Sequence, residues 1–184
     1  MPKTLKYLDM NLDYPIRELG PVPQLRVKDL THFQQETWRQ ETYETHQKTE
    51  CIFLRHWKDR RIDAMELMDY PLLSVYLKPL ERILSELRGH YDFTDYSAII
   101  TNLKAGMSIP KHTDGGMIFN LGHRIHIPIK TNPQVIFHVG HRVINMKLDH
   151  AYEIGNVSHM HGVNNKSDED RYHLIIDLFK NLNY

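Results

Sequence analysis

Hydrophobic and polar positions change their spacing about halfway along the chain. Between positions 73 and 87 the apolar residues recur at helical intervals, which predicts an amphipathic helix that packs on one side of the protein. The members of this stripe are Leu73, Tyr76, Leu80, Ile83, Leu84 and Leu87. From Tyr96 onwards, short apolar or alternating runs are separated by turn residues, which is typical of β-strands. We therefore expect about eight strands after an N-terminal half of extended and helical segments.

The first half contains further elements. Residues 1–26 include four prolines and are interpreted as an extended arm that lies on the body of the protein. Residues 28–48 predict a helix, and residues 51–54 predict a short strand. Pro79 either begins a second helix at its first turn or kinks a single one, and Gly89 is a plausible helix end.

The second half predicts an all-β core, with the helices packed outside it. Residues 97–103 predict a strand, residues 104–111 a loop, and a hairpin is expected to turn near Gly140. At 184 residues and 21.9 kDa the chain is most simply one domain. Within it we expect an arm and flanking helices over residues 1–92 and a catalytic β-core over residues 93–184.

The alternation of side chains in residues 124–129 is unusual for a core strand, because one face carries polar residues. Arg124, His126 and Pro128 share one face of the predicted strand, and three isoleucines share the other. Polar residues on an inward face make sense if the interior of the barrel is a binding cavity. Pro128 predicts that this strand lies at an edge of the sheet or ends there.

Composition restricts the classes of function. Lys and Arg total 23 and Asp and Glu total 23, so the zero formal charge argues against a nucleic-acid-binding or membrane-surface protein. The single Cys51 excludes an intramolecular disulfide. No signal-like segment and no apolar run long enough to span a bilayer is present, so we expect a cytoplasmic protein.

The residues that carry chemistry are concentrated in the second half. His112 and Asp114 lie two positions apart, so they share a face of an extended segment. His159 and His161 are both candidates for a second imidazole, and spacing alone leaves both open. Two histidines and one carboxylate are the ligand set typical of non-haem Fe(II) oxygenases. Arg171 could then pair with a carboxylate of a dianionic co-substrate.

A single histidine is weak evidence, because nine of the 13 histidines lie at or after position 112. The rarer signal is the combination of His-x-Asp, a later His and a following Arg on a predicted strand. His173 either faces the cavity or makes a structural hydrogen bond. Asp177 is a candidate acceptor behind the ligands rather than a ligand.

The chain from about Thr101 to Leu178 resembles the aspartyl/asparaginyl β-hydroxylase family, which includes bacterial proline hydroxylases. The matching segments are HTD at 112–114, HRIHIPI at 123–129, HGVNN at 161–165 and RYHLIIDL at 171–178. The resemblance implies a double-stranded β-helix of jelly-roll or cupin-like type. It also implies Fe(II), 2-oxoglutarate as co-substrate, and O2.

The resemblance implies a role for each site residue. The metal ligands would be His112, Asp114 and His161. His161 is selected over His159 because the family places its carboxylate-binding Arg ten positions after the distal ligand, and here that residue is Arg171.

The remaining implied residues bind the co-substrate. Arg171 would bind its far carboxylate with help from the hydroxyl of Thr101. Arg124 and His126 would hold the carboxylate beside the metal. Asp114 distinguishes the chain from the animal peptidyl-aspartate hydroxylases, which lack the carboxylate ligand, and places it nearer the small-amino-acid hydroxylases.

Three functions remain open. The first is a dioxygenase that hydroxylates a free amino acid or a small derivative at an unactivated C–H. The second is the same chemistry on Asp, Asn or Pro within a peptide, and the third is a cupin-like metal protein without oxygen chemistry. The substrate is a small molecule or a peptide in the first two. The basic segment 56–61 is either a solvent-exposed loop, which is the commoner case for exposed Lys and Arg, or a rim that helps to capture an acidic substrate.

Overall fold

The computed structural model describes residues 14–33, 49–57, 66–115, 119 and 122–180. Within them are eleven strands, one α-helix and one short 3₁₀ helix. The strands are β1 (Ile16–Pro21), β2 (Thr49–Trp57), β3 (Leu67–Asp69), β4 (Asp95–Leu103), β5 (Ser108–His112), β6 (Gly122–Lys130), β7 (Val135–Val139), β8 (Arg142–Ile144), β9 (His150–Ile154), β10 (His161–Asn165) and β11 (Arg171–Phe179). The helices are α1 (Leu73–Leu87) and the 3₁₀ helix (Leu30–His32).

The strands form two antiparallel sheets that pack against each other. The larger has the order β1-β9-β6-β11-β4-β2-β3, and the smaller has the order β5-β10-β7-β8. One apolar cluster joins them, with Leu103 and Ile154 from the larger sheet and Phe137 and Val163 from the smaller. Eight strands follow residue 94, and this arrangement is the predicted double-stranded β-helix.

Helix α1 covers the outer face of the larger sheet. Its buried residues are the six predicted from the apolar spacing. They pack with alternate residues of β6 and β11, among them Ile125, Ile127, Leu174 and Ile176. Each such side chain stabilises the fold by about 1.5–3 kcal/mol relative to an exposed one. Pro79 lies inside this one helix, which decides between the two alternatives left by the sequence.

Side chains along β6 and β11 alternate between the two faces of the sheet. The apolar side chains point outward, so the polar ones between them point inward. Arg124 and His126 on β6 share the inner face with Arg171 and His173 on β11, because successive side chains of a strand leave opposite faces. Cross-strand pairing places Arg124 beside Asp177. The inner face of the larger sheet is therefore polar, as the pattern of residues 124–129 predicted.

Two local predictions were wrong. Residues 108–111, in the loop predicted for 104–111, belong instead to strand β5, because β5 pairs with β10. Pro128 lies in a central strand, β6, rather than at an edge. The backbone N–H of Asp149, just before β9 begins, donates to the carbonyl oxygen of Pro128. The pairing of β6 with β9 does not extend to Pro128, so the missing N–H of this proline removes no hydrogen bond between the two strands.

The described part of the N-terminal arm lies on the body as predicted. Strand β1 pairs with β9 at the edge of the larger sheet. The hairpin between β7 and β8 turns at Gly140, whose φ of 54° favours glycine. Most of the helix predicted for 28–48 and most of the basic segment 56–61 lie outside the described residues. Among the described helices, none has the length and apolar character needed to cross a bilayer.

Candidate active site

His112, Asp114 and His161 lie together and are called the metal triad below. His112 ends β5 and His161 begins β10, and the two residues are direct cross-strand partners. The Nε2 atoms of His112 and His161 lie 3.5 and 3.7 Å from Oδ1 of Asp114. Gly162 permits this approach, because a Cβ there would lie 2.8 Å from the carbonyl oxygen of Ile109 on β5.

Hydrogen bonds behind the triad fix which atoms face inward. Nδ1 of His112 donates to the Pro110 carbonyl at 2.8 Å, and Nδ1 of His161 makes a longer contact of 3.4 Å with the His159 carbonyl. Both Nε2 atoms are thereby left to bind a metal. Oδ2 of Asp114 accepts from Arg124 and from Nδ2 of Asn156, so Oδ1 alone faces the two imidazoles.

Charge and burial change the pKa values of the three triad residues in different directions. Burial alone would raise the pKa of Asp114, but the nearby charge of Arg124 outweighs it and lowers that pKa, so the carboxylate is ionised. Burial lowers the pKa of His161 to about 4. Burial opposes protonation of His112 as well, but the neighbouring Asp114 and Pro110 outweigh it and raise that pKa.

The guanidinium of Arg124 is engaged by two carboxylates. Its Nε and Nη2 donate to Asp177 at 2.7 and 2.8 Å, and its Nη1 donates to Asp114. Asp177 also accepts from the hydroxyl of Ser97. Asp177 is therefore the acceptor that the sequence suggested, and it orients Arg124 against a triad residue. That Arg124 holds the carboxylate beside the metal stays a prediction.

A second group of inward side chains lies deeper in the protein. His126, Arg171 and His173, called the buried polar cluster below, are 5%, 2% and 1% exposed. Within the described part of the chain, both ring nitrogens of each histidine and Nε of Arg171 have no hydrogen-bond partner. The rings of His126 and His173 lie 5.8 Å apart, and the ring of Phe137 stacks on that of His173 at 6.2 Å.

The cluster carries a positive charge without a counter-ion among the described residues. Burial lowers the pKa of Arg171 to about 9, which still leaves the guanidinium protonated at neutral pH. Burial, together with the charges of Arg124 and Arg171, lowers the pKa of His126 well below its usual value. The pKa of His173 is lowered in the same way by burial and by Arg171. The cluster therefore consists of one cation and two neutral imidazoles.

Thr101 borders this cluster. It is buried on β4 and pairs across the strands with His173. Its hydroxyl lies 3.5 Å from the His173 carbonyl oxygen, which is a weak contact that another acceptor could replace.

The metal triad fits the metal, and the buried polar cluster fits the 2-oxoglutarate, that the family resemblance implied. Nitrogen and oxygen ligands about 2.0–2.2 Å from a metal lie roughly 3.0–3.6 Å from each other, close to the triad distances. An anionic, hydrogen-bonding ligand would stabilise a buried guanidinium and unpartnered imidazoles, and a dicarboxylate is a ligand of this kind.

The position of His159 separates it from the triad. Its Nδ1 contacts the hydroxyl of Ser158 at 3.0 Å, and its ring lies against Gly155. Asn156 was missed by sequence reasoning, although its carbonyl also accepts from the N–H of Asp114 at 2.9 Å. An asparagine in a turn is common, so the sequence carried no signal for this contact.

Comparison with solved structures finds a similar fold in another protein. An oxidoreductase of the 2OG-Fe(II) oxygenase family from Burkholderia pseudomallei superposes with a TM-score of 0.53 at 15% identity, covering 71% of this chain and 67% of its own. A Pseudomonas putida prolyl-4-hydroxylase gives a TM-score of 0.45 at 11% identity, covering 72% and 71%. A cupin 2 conserved barrel domain protein from Salinispora arenicola gives 0.44 at 10% identity, covering 84% and 87%.

A search of curated proteins found no match. Residues 24–181, in contrast, match the sequence profile described as aspartyl/asparaginyl beta-hydroxylase. This match confirms the predicted class of enzyme, an Fe(II)- and 2-oxoglutarate-dependent dioxygenase of the hydroxylase type. By the profile match over most of its length, the chain belongs to the aspartyl/asparaginyl β-hydroxylase family.

Proposed function

We propose that the protein hydroxylates an amino acid or a small amino-acid derivative at an unactivated C–H, using Fe(II), 2-oxoglutarate and O2. The observation that carries the proposal is the buried, protonated Arg171, which has no ion-pair partner among the described residues. A charge of this kind is strongly destabilising unless a ligand neutralises it. The far carboxylate of 2-oxoglutarate would supply the missing charge.

The triad would hold the metal. Nε2 of His112, Nε2 of His161 and Oδ1 of Asp114 would be its three protein ligands, which leaves room for other ligands. Fe(II) would activate O2, which is the oxidant: one oxygen atom would enter the substrate C–H as a hydroxyl, and the other would enter 2-oxoglutarate as it is converted to succinate and CO2. Arg124 and Asn156 keep Asp114 oriented, while Arg171 and Thr101 hold the co-substrate at its far end. His126 lies between the two groups, and the charges of Asp114 in the triad and of Arg171 in the cluster both affect its pKa.

A cleft beside the triad is the candidate substrate site. It is shallow, with a cavity volume of about 20 Å³, and Phe119, His123, Arg124, Asn156 and Ser158 are among the residues that line it. Arg124 stacks on the ring of Phe119 with 4.4 Å between the guanidinium carbon and the ring centre. Its polar side chains, Arg124, Asn156 and Ser158 among them, favour a small, polar substrate. A peptidyl residue is the second candidate, because the same side chains would meet its amide groups.

Product analysis tests the proposal. The purified protein would be incubated with Fe(II), 2-oxoglutarate and panels of free amino acids and short peptides, with detection of succinate and of a mass gain of one oxygen. We expect both products with a free amino acid or a small derivative. Oxygen gain only with peptides would favour the second candidate. Absence of succinate above background with every substrate would contradict oxygenase chemistry and favour a metal protein of another kind.

A further inference from the structure

The family resemblance assigns no role to His173, yet its environment differs from that of an ordinary core histidine. Its ring is 1% exposed and neutral, and neither nitrogen has a partner within the described residues. A buried imidazole without hydrogen bonds costs about 1–3 kcal/mol for each unsatisfied group. Such a cost persists in a native protein mainly where a ligand removes it.

The position of His173 indicates which ligand. His173 and Arg171 are two positions apart on β11, so both side chains leave the same face of the sheet. Both also contact one ring, that of Phe137, which stacks on His173 and lies 6.0 Å from the guanidinium carbon of Arg171. A carboxylate bound by Arg171 therefore has the imidazole of His173 beside it.

We infer that His173 donates a hydrogen bond to the far carboxylate of the co-substrate, next to Arg171, and thereby helps to select a dicarboxylate. This inference rests on the proposed function. A neutral imidazole has one N–H donor, and a carboxylate has lone pairs left after bidentate pairing with a guanidinium. Arg171 would supply the charge, and His173 would add a directional donor that an uncharged chain end could not use.

Binding measurements on the metal-loaded protein test the inference without turnover. The protein would be loaded with Zn(II) in place of Fe(II) and titrated calorimetrically with 2-oxoglutarate and with 2-oxopentanoate, which has the same chain and keto acid but no far carboxylate. We expect His173→Phe to weaken 2-oxoglutarate binding roughly 10- to 100-fold, as for a lost hydrogen bond to a charged group. Its affinity for 2-oxopentanoate should be unchanged.

Two kinds of matched variant sharpen the result. Tyr172→Phe changes the neighbouring side chain on the opposite face of β11, and it should bind both acids as the wild type does. His173→Gln and His173→Asn place an amide N–H near the positions of Nε2 and Nδ1, and at least one of them should recover most of the affinity. If His173→Phe fails to fold, ring-nitrogen NMR of the unaltered protein replaces it. The His173 signals should then move with 2-oxoglutarate and stay with 2-oxopentanoate.

The outcomes separate this inference from the function on which it rests. Equal losses for both acids, unchanged binding in His173→Phe, or failure of both amide variants would overturn the role of His173 and leave the proposed function standing. A wild-type protein that binds 2-oxoglutarate no better than 2-oxopentanoate would overturn both.

Discussion

The metal triad and the buried polar cluster both lie in the interior of the protein, but their polar atoms differ in how many hydrogen-bond partners they have. At the triad, both Nδ1 atoms donate to backbone carbonyls and Oδ2 of Asp114 accepts from two side chains. In the cluster, two imidazoles and Nε of Arg171 have no partner among the described residues. The triad is thus held by hydrogen bonds within the protein, whereas the polar atoms of the cluster have no such partners among the described residues. Four predictions test this contrast.

The largest effect is expected at the triad. His161→Ala removes a ligand, and we expect it to lower metal affinity and turnover by more than the 10- to 100-fold typical of residues that only orient ligands. The measurement is metal titration followed by succinate release. His159→Ala is the matched control, because its ring faces Ser158 and Gly155. Loss of metal in His159→Ala with retention in His161→Ala would reverse the ligand assignment.

Arg171→Met should act in opposite directions on stability and on binding. Removing a buried charge without a counter-ion should raise the free energy of unfolding of the ligand-free protein by at least about 1 kcal/mol. Losing the charge partner of the co-substrate should weaken 2-oxoglutarate binding by about 2–5 kcal/mol, with little change in metal affinity. Urea unfolding and calorimetry measure the two quantities. A destabilised variant with normal binding would show that Arg171 has a structural partner instead.

Asn156→Ala tests whether the hydrogen bonds that orient Asp114 contribute to metal affinity. Asp114 would lose the hydrogen bond from Nδ2 of Asn156, and we expect metal affinity to fall about 10- to 100-fold. The backbone contact between the same two residues remains, so the fold should persist. Ser158→Ala, in the same turn, serves as the control. Equal metal affinity in both variants would mean that Arg124 orients Asp114 unaided.

The smallest effect concerns pH. The pKa of His173 is lower in the folded protein than its unfolded value of about 6.5, so the unfolded chain binds more protons below that pH. The free energy of unfolding of the ligand-free protein should therefore decrease as pH falls below 6.5, by up to about 1.4 kcal/mol per pH unit for this group. In His173→Phe the decrease between pH 7 and pH 5 should be shallower. Urea unfolding curves at several pH values measure it, and parallel pH profiles would contradict it.

Sequence reasoning found the features that are encoded locally. The stripe of α1 follows from helical spacing, and the inward face of β6 follows from alternation. The pairing of His112 with Asp114 needed only a two-residue interval, although the choice of His161 over His159 needed the family resemblance. The strand that carries His112 was missed, because β5 is defined by its pairing with β10 rather than by its own composition.

The sequence by itself determined the helix stripe and the β-rich second half, because these depend on periodicity, and its resemblance to a known family supplied the double-stranded β-helix. Only the tertiary structure decided which charges are paired. Arg124 meets Asp177 because β6 and β11 are neighbours in that register, 53 residues apart in the chain. Arg171 and His173 lack partners because no described carboxylate pairs with that part of the interior. Pairing inside a protein depends on which strands become neighbours, and interior charge pairing is not encoded in any local pattern of residues.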